Sequence, residues 1–255
     1  GYAKTQPLDT YQAQNRGGTG KRAASLKDED FVSKLFVANT HDTLLCFSSY
    51  GKVYWIKVYR LPRGGRNAKG RPIVNLLPLE KDERIQAVLP VKEFNDDQFI
   101  FMATETGSVK KTKLSAYSRP MKSGIKAIKL RDGDRVVNAE ITDGTKEIML
   151  FSNSGKSIRF KESDARPMGR VSQGVRGMRI DKDQKIISLV VLEEGNILVA
   201  TENGYGKQTL QDEFSIQKRG GKGVIAIQTS DRNGNLIGAK QVNTGDEVMF
   251  ISTSG

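Results

Sequence analysis

The chain has 255 residues, 37% of them hydrophobic and 27% charged, with a formal net charge of +12 and a pI near 9.7. This length fits one large all-β domain or two ordinary domains, and the strong positive charge points to a negatively charged partner. No apolar run approaches the roughly 18 residues of a transmembrane helix, and no long basic amphipathic helix is present that could lie on a membrane. We therefore expect an anionic partner other than a membrane.

A single cysteine and a single histidine limit the chemistry of the chain. Cys46 lies in the strand-like apolar run 44–47, which favours a buried, inert thiol, and the lack of a second cysteine fits a reducing cytoplasm. His41 lies in a turn-like stretch. A zinc site of His and Cys ligands is excluded, and a Ser-His-Asp triad would depend on this one histidine. No arrangement of paired carboxylates, nucleophile with base, or P-loop indicates an enzyme acting alone.

A glycine-containing turn recurs from the first residue of the chain to the last. The turn glycines are separated by 50, 56, 48, 49 and 51 residues, at Gly1, Gly51, Gly107, Gly155, Gly204 and Gly255. A second series of glycines opens apolar strands 19, 19, 17, 19 and 19 residues later, at Gly20, Gly70, Gly124, Gly174 and Gly223. This regularity indicates an internal repeat of about fifty residues. We expect one domain over 1–255, with five complete periods and a partial unit at each end.

One period is predicted to contain four short strands joined by turns, which is the pattern of an all-β repeat array. Around Gly155 the strands are expected at 147–152, 156–160, 175–180 and 185–191. No stretch keeps helical periodicity over three turns. The segment 27–35 could form one or two helical turns at most.

Charge is segregated within each period. Acidic residues gather in the turn after the second glycine, at 27–30, 80–83, 132–134 and 181–183. Cations gather between the two glycines, and they include Lys110, Lys111 and Arg159 on the strands that follow the turn glycines. Equivalent loops in successive blades would place these cations in a belt along one rim, with the carboxylates elsewhere.

A belt of spaced cations is suited to a phosphate backbone rather than to a single small anion. No helix or ribbon is predicted that could carry Arg, Asn or Gln into a major groove. Single-stranded nucleic acid needs exposed aromatic side chains, but the aromatics here lie in apolar strands and fit core packing better, as at Phe36, Phe47, Phe101, Phe151 and Phe250. Duplex DNA curved around a convex rim is therefore favoured. A propeller scaffold that binds acidic proteins through the same belt is the alternative.

The residues resemble the C-terminal domain of DNA gyrase A over essentially the whole chain. The resemblance is carried by the fifty-residue repeat and by the stretches 47–51 (FSSYG), 70–79 (GRPIVNLLPL) and 160–163 (FKES). It is also carried by 217–223 (QKRGGKG), which is close to the family's basic box of pattern Gln-Arg-Arg-Gly-Gly-Lys-Gly.

The resemblance implies a six-bladed β-pinwheel, a relative of the propeller in which neighbouring blades exchange strands. The sixth blade would be incomplete in this chain. It also implies wrapping of duplex DNA with a defined hand, so that gyrase introduces negative supercoils. The implied partners are duplex DNA, the N-terminal part of gyrase A and the gyrase B protein, in the cytoplasm and nucleoid of a bacterium. No cofactor is expected in this domain, which would be non-catalytic, while ATP and Mg²⁺ would serve the holoenzyme. The equivalent domain of topoisomerase IV is the neighbouring alternative.

Two stretches compete for the role of the family's box. In the first blade, where the box belongs, two of its three cations are replaced by Asn15 and Thr19. The closer match, 217–223, lies one blade before the last. We expect 14–22 to anchor the wrapped DNA and 217–223 to reinforce the contact. The residues expected to contact DNA are Gln14, Arg16, Gly17, Gly18, Gly20, Lys21, Arg22, Arg63, Arg66, Lys69, Arg71, Lys122, Lys126, Arg170, Arg176, Gln217, Lys218, Arg219, Gly220, Gly221, Lys222 and Gly223.

Overall fold

A computed structural model describes residues 2–7, 37–65, 68 and 70–246. None of these residues lies in an α-helix, and short strands alternate with turns as the all-β prediction requires. The strands are β1 (Tyr2–Ala3), β2 (Thr43–Ser48), β3 (Lys52–Lys57), β4 (Arg71–Pro72), β5 (Ile85–Val91), β6 (Phe99–Thr104), β7 (Ser108–Lys113), β8 (Ile125–Lys126), β9 (Val136–Thr142), β10 (Glu147–Ser152), β11 (Lys156–Lys161), β12 (Val175–Arg176), β13 (Ile186–Val191), β14 (Asn196–Thr201), β15 (Gly206–Thr209), β16 (Val224–Ile225) and β17 (Leu236–Val242). Short 3-10 turns lie at Val58–Arg60, Ile73–Asn75, Leu114–Tyr117, Glu162–Asp164 and Gln211–Glu213.

The strands form separate antiparallel sheets that repeat along the chain. The orders are β5-β2-β3-β8, β12-β7-β6-β9 and β13-β10-β11-β16, with three strands in β15-β14-β17 and two in β1-β4. We number the repeats by the glycine in the turn of each central hairpin, which is Gly51 in the second repeat, Gly107 in the third, Gly155 in the fourth and Gly204 in the fifth. Each long hairpin pairs within its own repeat, as β10 does with β11.

The short strands are exchanged between repeats, as expected of a β-pinwheel. Each short strand pairs with a strand of the preceding repeat: β4 with β1, β8 with β3, β12 with β7, and β16 with β11. The predicted strand 175–180 is wrong in length, because β12 ends at Arg176. The amides of Gly177 and Met178 then donate to Gly107 O, at 2.7 and 3.2 Å, instead of continuing the ladder.

The two glycine series recur because they meet where the exchanged strand joins the sheet. Gly155 has φ +84°, and its carbonyl accepts hydrogen bonds from the amides of Ala226 and Ile227. A Cβ on Gly155 would lie 2.2 Å from Ile227 O, and one on Gly223 would lie 2.2 Å from Ser157 O. Neither position has room for a side chain, and a positive φ also favours glycine.

The hydrophobic core lies between neighbouring sheets. Side chains of β6 alternate between two clusters, with Ile100 and Met102 on the second repeat's side and Phe101 and Ala103 on the fourth repeat's side. A further cluster joins the fourth and fifth repeats through Met149, Phe151, Val199 and Phe214. Since both faces of such a strand are buried, the sequence is continuously apolar there instead of alternating.

Several smaller expectations can be compared with this fold. Cys46 is buried and unpaired, as predicted, and His41 lies in a turn on the surface. Phe47, Phe101 and Phe151 are buried, as expected of core aromatics. The possible helical turn at 27–35, together with Phe36 and Phe250, lies outside the described residues.

Candidate nucleic-acid interface

Three basic loops lead from a 3-10 turn to an exchanged strand in successive repeats. We call them loop 3 (118–126), loop 4 (165–176) and loop 5 (214–225). Each loop follows a 3-10 turn and ends in an exchanged strand, which pairs with the neighbouring sheet and so fixes the end of the loop there. The repeat thus gives the three loops the same place in the fold.

Loops 4 and 5 are each fastened to the preceding loop by an arginine. Arg170 of loop 4 donates from its guanidinium to Lys126 O at the end of loop 3. Arg219 of loop 5 donates to Arg176 O at the end of loop 4, at 2.6 Å, and also to Asp164 O at 3.2 Å. The two contacts are equivalent, so these arginines join consecutive loops while their side chains remain partly exposed.

Backbone hydrogen bonds repeat the same fastening. The amide of Lys129 donates to Ser172 O at 3.1 Å, and the amide of Arg179, fifty residues later, donates to Gly221 O at 2.8 Å. Gly220 also donates to Gly177 O at 2.7 Å. Backbone hydrogen bonds therefore hold loops 4 and 5 to the residues that directly follow the preceding exchanged strand.

Most predicted DNA-contacting cations that the structure describes are on the surface. The exposed side chains are those of Arg63, Arg71, Lys122, Lys126, Arg176, Lys218 and Lys222, while Gln217, Arg170 and Arg219 are half-buried. The glycines of the box, Gly220, Gly221 and Gly223, are half-buried, and Gly220 and Gly223 have positive φ. The remaining predicted positions lie outside the described residues: Gln14, Arg16, Gly17, Gly18, Gly20, Lys21, Arg22, Arg66 and Lys69.

Three cations that the sequence assigned to the belt are buried instead, which corrects that assignment. Lys111 donates to Glu162 O at 3.2 Å and lies 3.8 Å from the Glu162 carboxylate. Arg159, at the equivalent position of the next repeat, forms an ion pair with Glu147 at 2.5 Å. It also donates to Gln211 O and Phe214 O, both at 2.9 Å. These cations hold the following repeat and do not face solvent.

Lys110 is the third of these cations, and its side chain is fully buried. Its ammonium donates to the carbonyl of Ala127, directly after loop 3, and to the carbonyls of Gly169 and Arg170 in loop 4. Burial, and after it the positive charge of Arg170, lowers the pKa of Lys110 to about 7. Sequence reasoning placed Lys110 in the exposed belt and missed its buried role, because its acceptors are main-chain atoms from two separate segments.

Carboxylates lie both in the acidic turns and beside the basic loops, since Asp164 directly precedes loop 4 and Glu213 directly precedes loop 5. Those of the acidic turns after the second glycine are mostly exposed, but Glu83 and Asp134 are buried. Glu83 accepts from Tyr54 Oη, at 2.9 and 3.0 Å, and Asp134 accepts from Thr106 Oγ1 at 2.7 Å.

The basic loops also expose apolar side chains that the sequence offered no reason to single out. Met121, Val171 and Ile225 are 57%, 56% and 57% exposed.

Neither a metal site nor a membrane span is evident in the part of the chain that the structure describes. No three His, Cys, Asp or Glu side chains there come together as metal ligands. Among the same residues, no helix has the length and apolarity to cross a membrane.

Comparison with known proteins adds independent information on this repeat. The family model described as "DNA gyrase C-terminal domain, beta-propeller" matches residues 1–39, 42–92, 98–143, 146–193 and 195–243. The chain is 53% identical over 256 residues to the DNA gyrase A protein of Salmonella typhimurium, and the match covers all of this chain. The chain spans 29% of the length of that relative.

Two solved structures are similar in both sequence and shape. The crystal structure of the C-terminal domain of DNA topoisomerase IV has a TM-score of 0.80 at 30% identity, and the match covers 95% of this chain and 75% of that one. A structure of the DNA gyrase A C-terminal domain has a TM-score of 0.71 at 26% identity, covering 92% of this chain and 78% of that one. Because the family model matches nearly the whole length of the chain, the chain belongs to the DNA gyrase C-terminal domain family.

Proposed function

We propose that this chain binds duplex DNA along its consecutive basic loops and wraps it with a defined hand. The observation that carries the proposal is the chain of loops 3, 4 and 5, each fastened to the next by an arginine-to-carbonyl bond. Exposed cations at equivalent places, such as Lys126 and Arg176, would then meet successive phosphates along a curved path. Bending a short duplex costs a few kcal/mol, roughly, which many phosphate contacts together can offset.

Within this proposal the chain is a non-catalytic part of a type IIA topoisomerase. The N-terminal part of gyrase A, together with gyrase B, would complete a heterotetramer that introduces negative supercoils. ATP and Mg²⁺ would act in those other parts, and a bacterial cytoplasm with nucleoid DNA would be the site of action. The gyrase A name of the 53% identical relative supports this placement.

Salt-dependent binding of linear duplex tests the proposal directly. Log affinity should fall linearly with log salt, at about −0.9 per phosphate neutralised. The double variant Lys126→Gln with Arg176→Gln should reduce the magnitude of this slope by about two. The matched control is Lys81→Gln with Lys182→Gln, which removes two exposed cations from the acidic turns and should leave the slope nearly unchanged. Binding that is undetectable or insensitive to salt would overturn the proposal.

A topoisomerase IV domain is the second candidate, because the topoisomerase IV structure has the higher TM-score of the two neighbours. Relaxed circles treated with a nicking-closing enzyme in the presence of the chain separate the two. A linking-number shift of constant sign supports gyrase-type wrapping, whereas binding without a shift supports the topoisomerase IV type.

The same assay addresses the anchor of the wrap. We place the anchor at Arg16, Lys21 and Arg22 and the reinforcing contact at residues 217–223. Neutralising the three anchor cations together should reduce the linking-number shift more than it reduces binding. If instead only neutralisation of Lys218, Arg219 and Lys222 abolishes the shift, the anchor is the later stretch.

A further inference from the structure

The buried ammonium of Lys110 donates hydrogen bonds to backbone carbonyls directly after loop 3 and within loop 4. Its Nζ lies 2.5 Å from Ala127 O and 3.3 Å from Gly169 O, and it also donates to Arg170 O. Three acceptors match the three N–H donors of a protonated ammonium. The guanidinium of Arg170 in turn donates to Lys126 O. A closed set of contacts therefore links Lys110 on β7, the end of loop 3 and the middle of loop 4.

The fold alone gives no reason for a lysine at this position. The equivalent residues in the other repeats are Lys4, Tyr54, Ile158 and Lys207, and Lys4 likewise donates from its Nζ to a carbonyl of the next repeat, Gly65 O, at 3.0 Å. Ile158 is buried like Lys110, and loop 5 still lies against loop 4 there through Arg219. Burying an ammonium costs stability that an apolar side chain does not cost. A lysine here has to be explained by what it does to the loops.

We propose that Lys110 is a positioning residue for DNA wrapping, which fixes loop 3 and loop 4 in the relative orientation that a curved duplex requires. This inference rests on the proposed wrapping function. Lys110 does not touch DNA and acts through the backbone of Arg170 and Ala127. The protonated ammonium binds Ala127 O and the two loop 4 carbonyls at the same time. The exposed side chains of Lys122, Lys126 and Arg176 therefore keep their spacing.

The positioning depends on pH because Lys110 is buried. Burial, followed by the charge of Arg170, lowers its pKa to about 7. The neutral amine keeps only two N–H donors and presents a lone pair, so one of the three carbonyls loses its partner. The charged group that acts on Lys110 is Arg170 in loop 4, which also acts on the buried phenol of Tyr117. The side chains of Lys126 on β8 and Arg176 on β12 are exposed. The nearest ion pair on β7 is formed by Lys111 with Glu162.

Stability and positioning should change in opposite directions with pH. The folded-state pKa lies below the ordinary value of 10.5, so the unfolded chain binds more protons between about pH 7 and about pH 10.5. Stability from this group therefore rises with pH across that window. The contacts that Lys110 makes with the loops weaken as the pH rises through its folded-state pKa of about 7, at the lower end of this window. A residue with a purely structural role would not produce this opposition.

The test measures the linking-number shift produced by the full 255-residue chain on nicked circles that DNA ligase reseals. Between about pH 6 and about pH 8.5 the shift should fall roughly threefold for the unmodified chain. Lys110→Met should give a low shift that does not change with pH. Lys110→Arg, which keeps the charge at all these pH values, should give a shift that does not decline. Lys207→Met is the matched control, since Lys207 is exposed at the same strand position, and it should keep the pH profile of the unmodified chain.

Each outcome bears on one of the two proposals. Equal pH profiles for the unmodified chain and Lys110→Met, or a shift independent of pH in the unmodified chain, would overturn the role of Lys110 and leave wrapping intact. Duplex binding without a linking-number shift at either pH would overturn wrapping itself. Urea unfolding at each pH reports on folding. If Lys110→Met does not fold, the profiles of the unmodified chain and of Lys110→Arg still decide.

Discussion

The interface between the fourth and fifth repeats differs sharply from the far side of the fifth repeat, although equivalent positions build both. Strand β11 lies between β10 and the exchanged β16, whereas β15 pairs only with β14 among the described residues. A Cβ on Gly155 would collide with Ile227 O, but one on Gly204 would meet no atom of the described residues within 4 Å. Arg159 is buried against the next repeat, while its equivalent Gln208 is exposed.

This difference shows which residues serve the neighbouring repeat and not their own. Gly155 and Arg159 have no function in their own hairpin that Gly204 and Gln208 fail to perform, since β14 and β15 still form a regular ladder. The energetic weight of the turn glycine and of the buried cation should therefore appear only where a following repeat is in place. Paired substitutions at the two sites can break or sharpen this conclusion.

The largest difference is expected between Gly155→Ala and Gly204→Ala. Both glycines have positive φ, which costs an L-residue about 1–2 kcal/mol. Only at Gly155 does overpacking against backbone add about 1–3 kcal/mol. The free energy of unfolding, measured in urea, should fall by about 4 kcal/mol for the first variant and by 2 kcal/mol or less, roughly, for the second. Equal losses would contradict the comparison.

Arg159→Met should have the next largest effect. It leaves Glu147 without its ion-pair partner and the carbonyls of Gln211 and Phe214 without a donor. Removing one partner of a buried pair costs about 3 kcal/mol or somewhat more. Gln208→Met at the equivalent exposed position should change stability by less than about 0.5 kcal/mol. Urea unfolding of both variants gives the measurement, and a small loss for Arg159→Met would show that the buried cation does not hold the fifth repeat.

The smallest effect concerns the belt itself. Loop 5 carries exposed Ile225 where loops 3 and 4 carry Lys126 and Arg176. Ile225→Lys should add one phosphate contact, which steepens the salt slope of duplex binding by about 0.9. Ile237→Lys is the control, because Ile237 is equally exposed but lies outside the basic loops, on the edge strand β17 of the sheet β15-β14-β17. If both variants change the slope equally, the added charge acts without regard to its place.

Much of the fold could be predicted because the repeat records it in the sequence. The two glycine series fixed the period, and their close contact at Gly155 and Gly223 explains why neither spacing drifts. The length of the third strand could not be predicted. The pattern of residues 175–180 predicts one extended strand. The amides of Gly177 and Met178 instead donate to Gly107 O, in a turn, and so the ladder ends at Arg176.

The candidate interface was predicted less completely than the fold. Composition located the basic loops, and the structure places Lys126 and Arg176 on the surface as predicted. Lys110, Lys111 and Arg159 look like further surface cations in a linear reading. Each of them donates to backbone carbonyls from 17 to 60 residues away, which carry no signature in the side-chain sequence.

Strand exchange also puts the period of the sequence out of phase with the sheets. The second, third and fourth repeats each add a short strand to the preceding sheet and accept one from the repeat that follows. A duplicated segment of one whole period would therefore enter the array with both of its connections already satisfied. The number of blades can grow by tandem duplication of about fifty residues without the invention of a new interface.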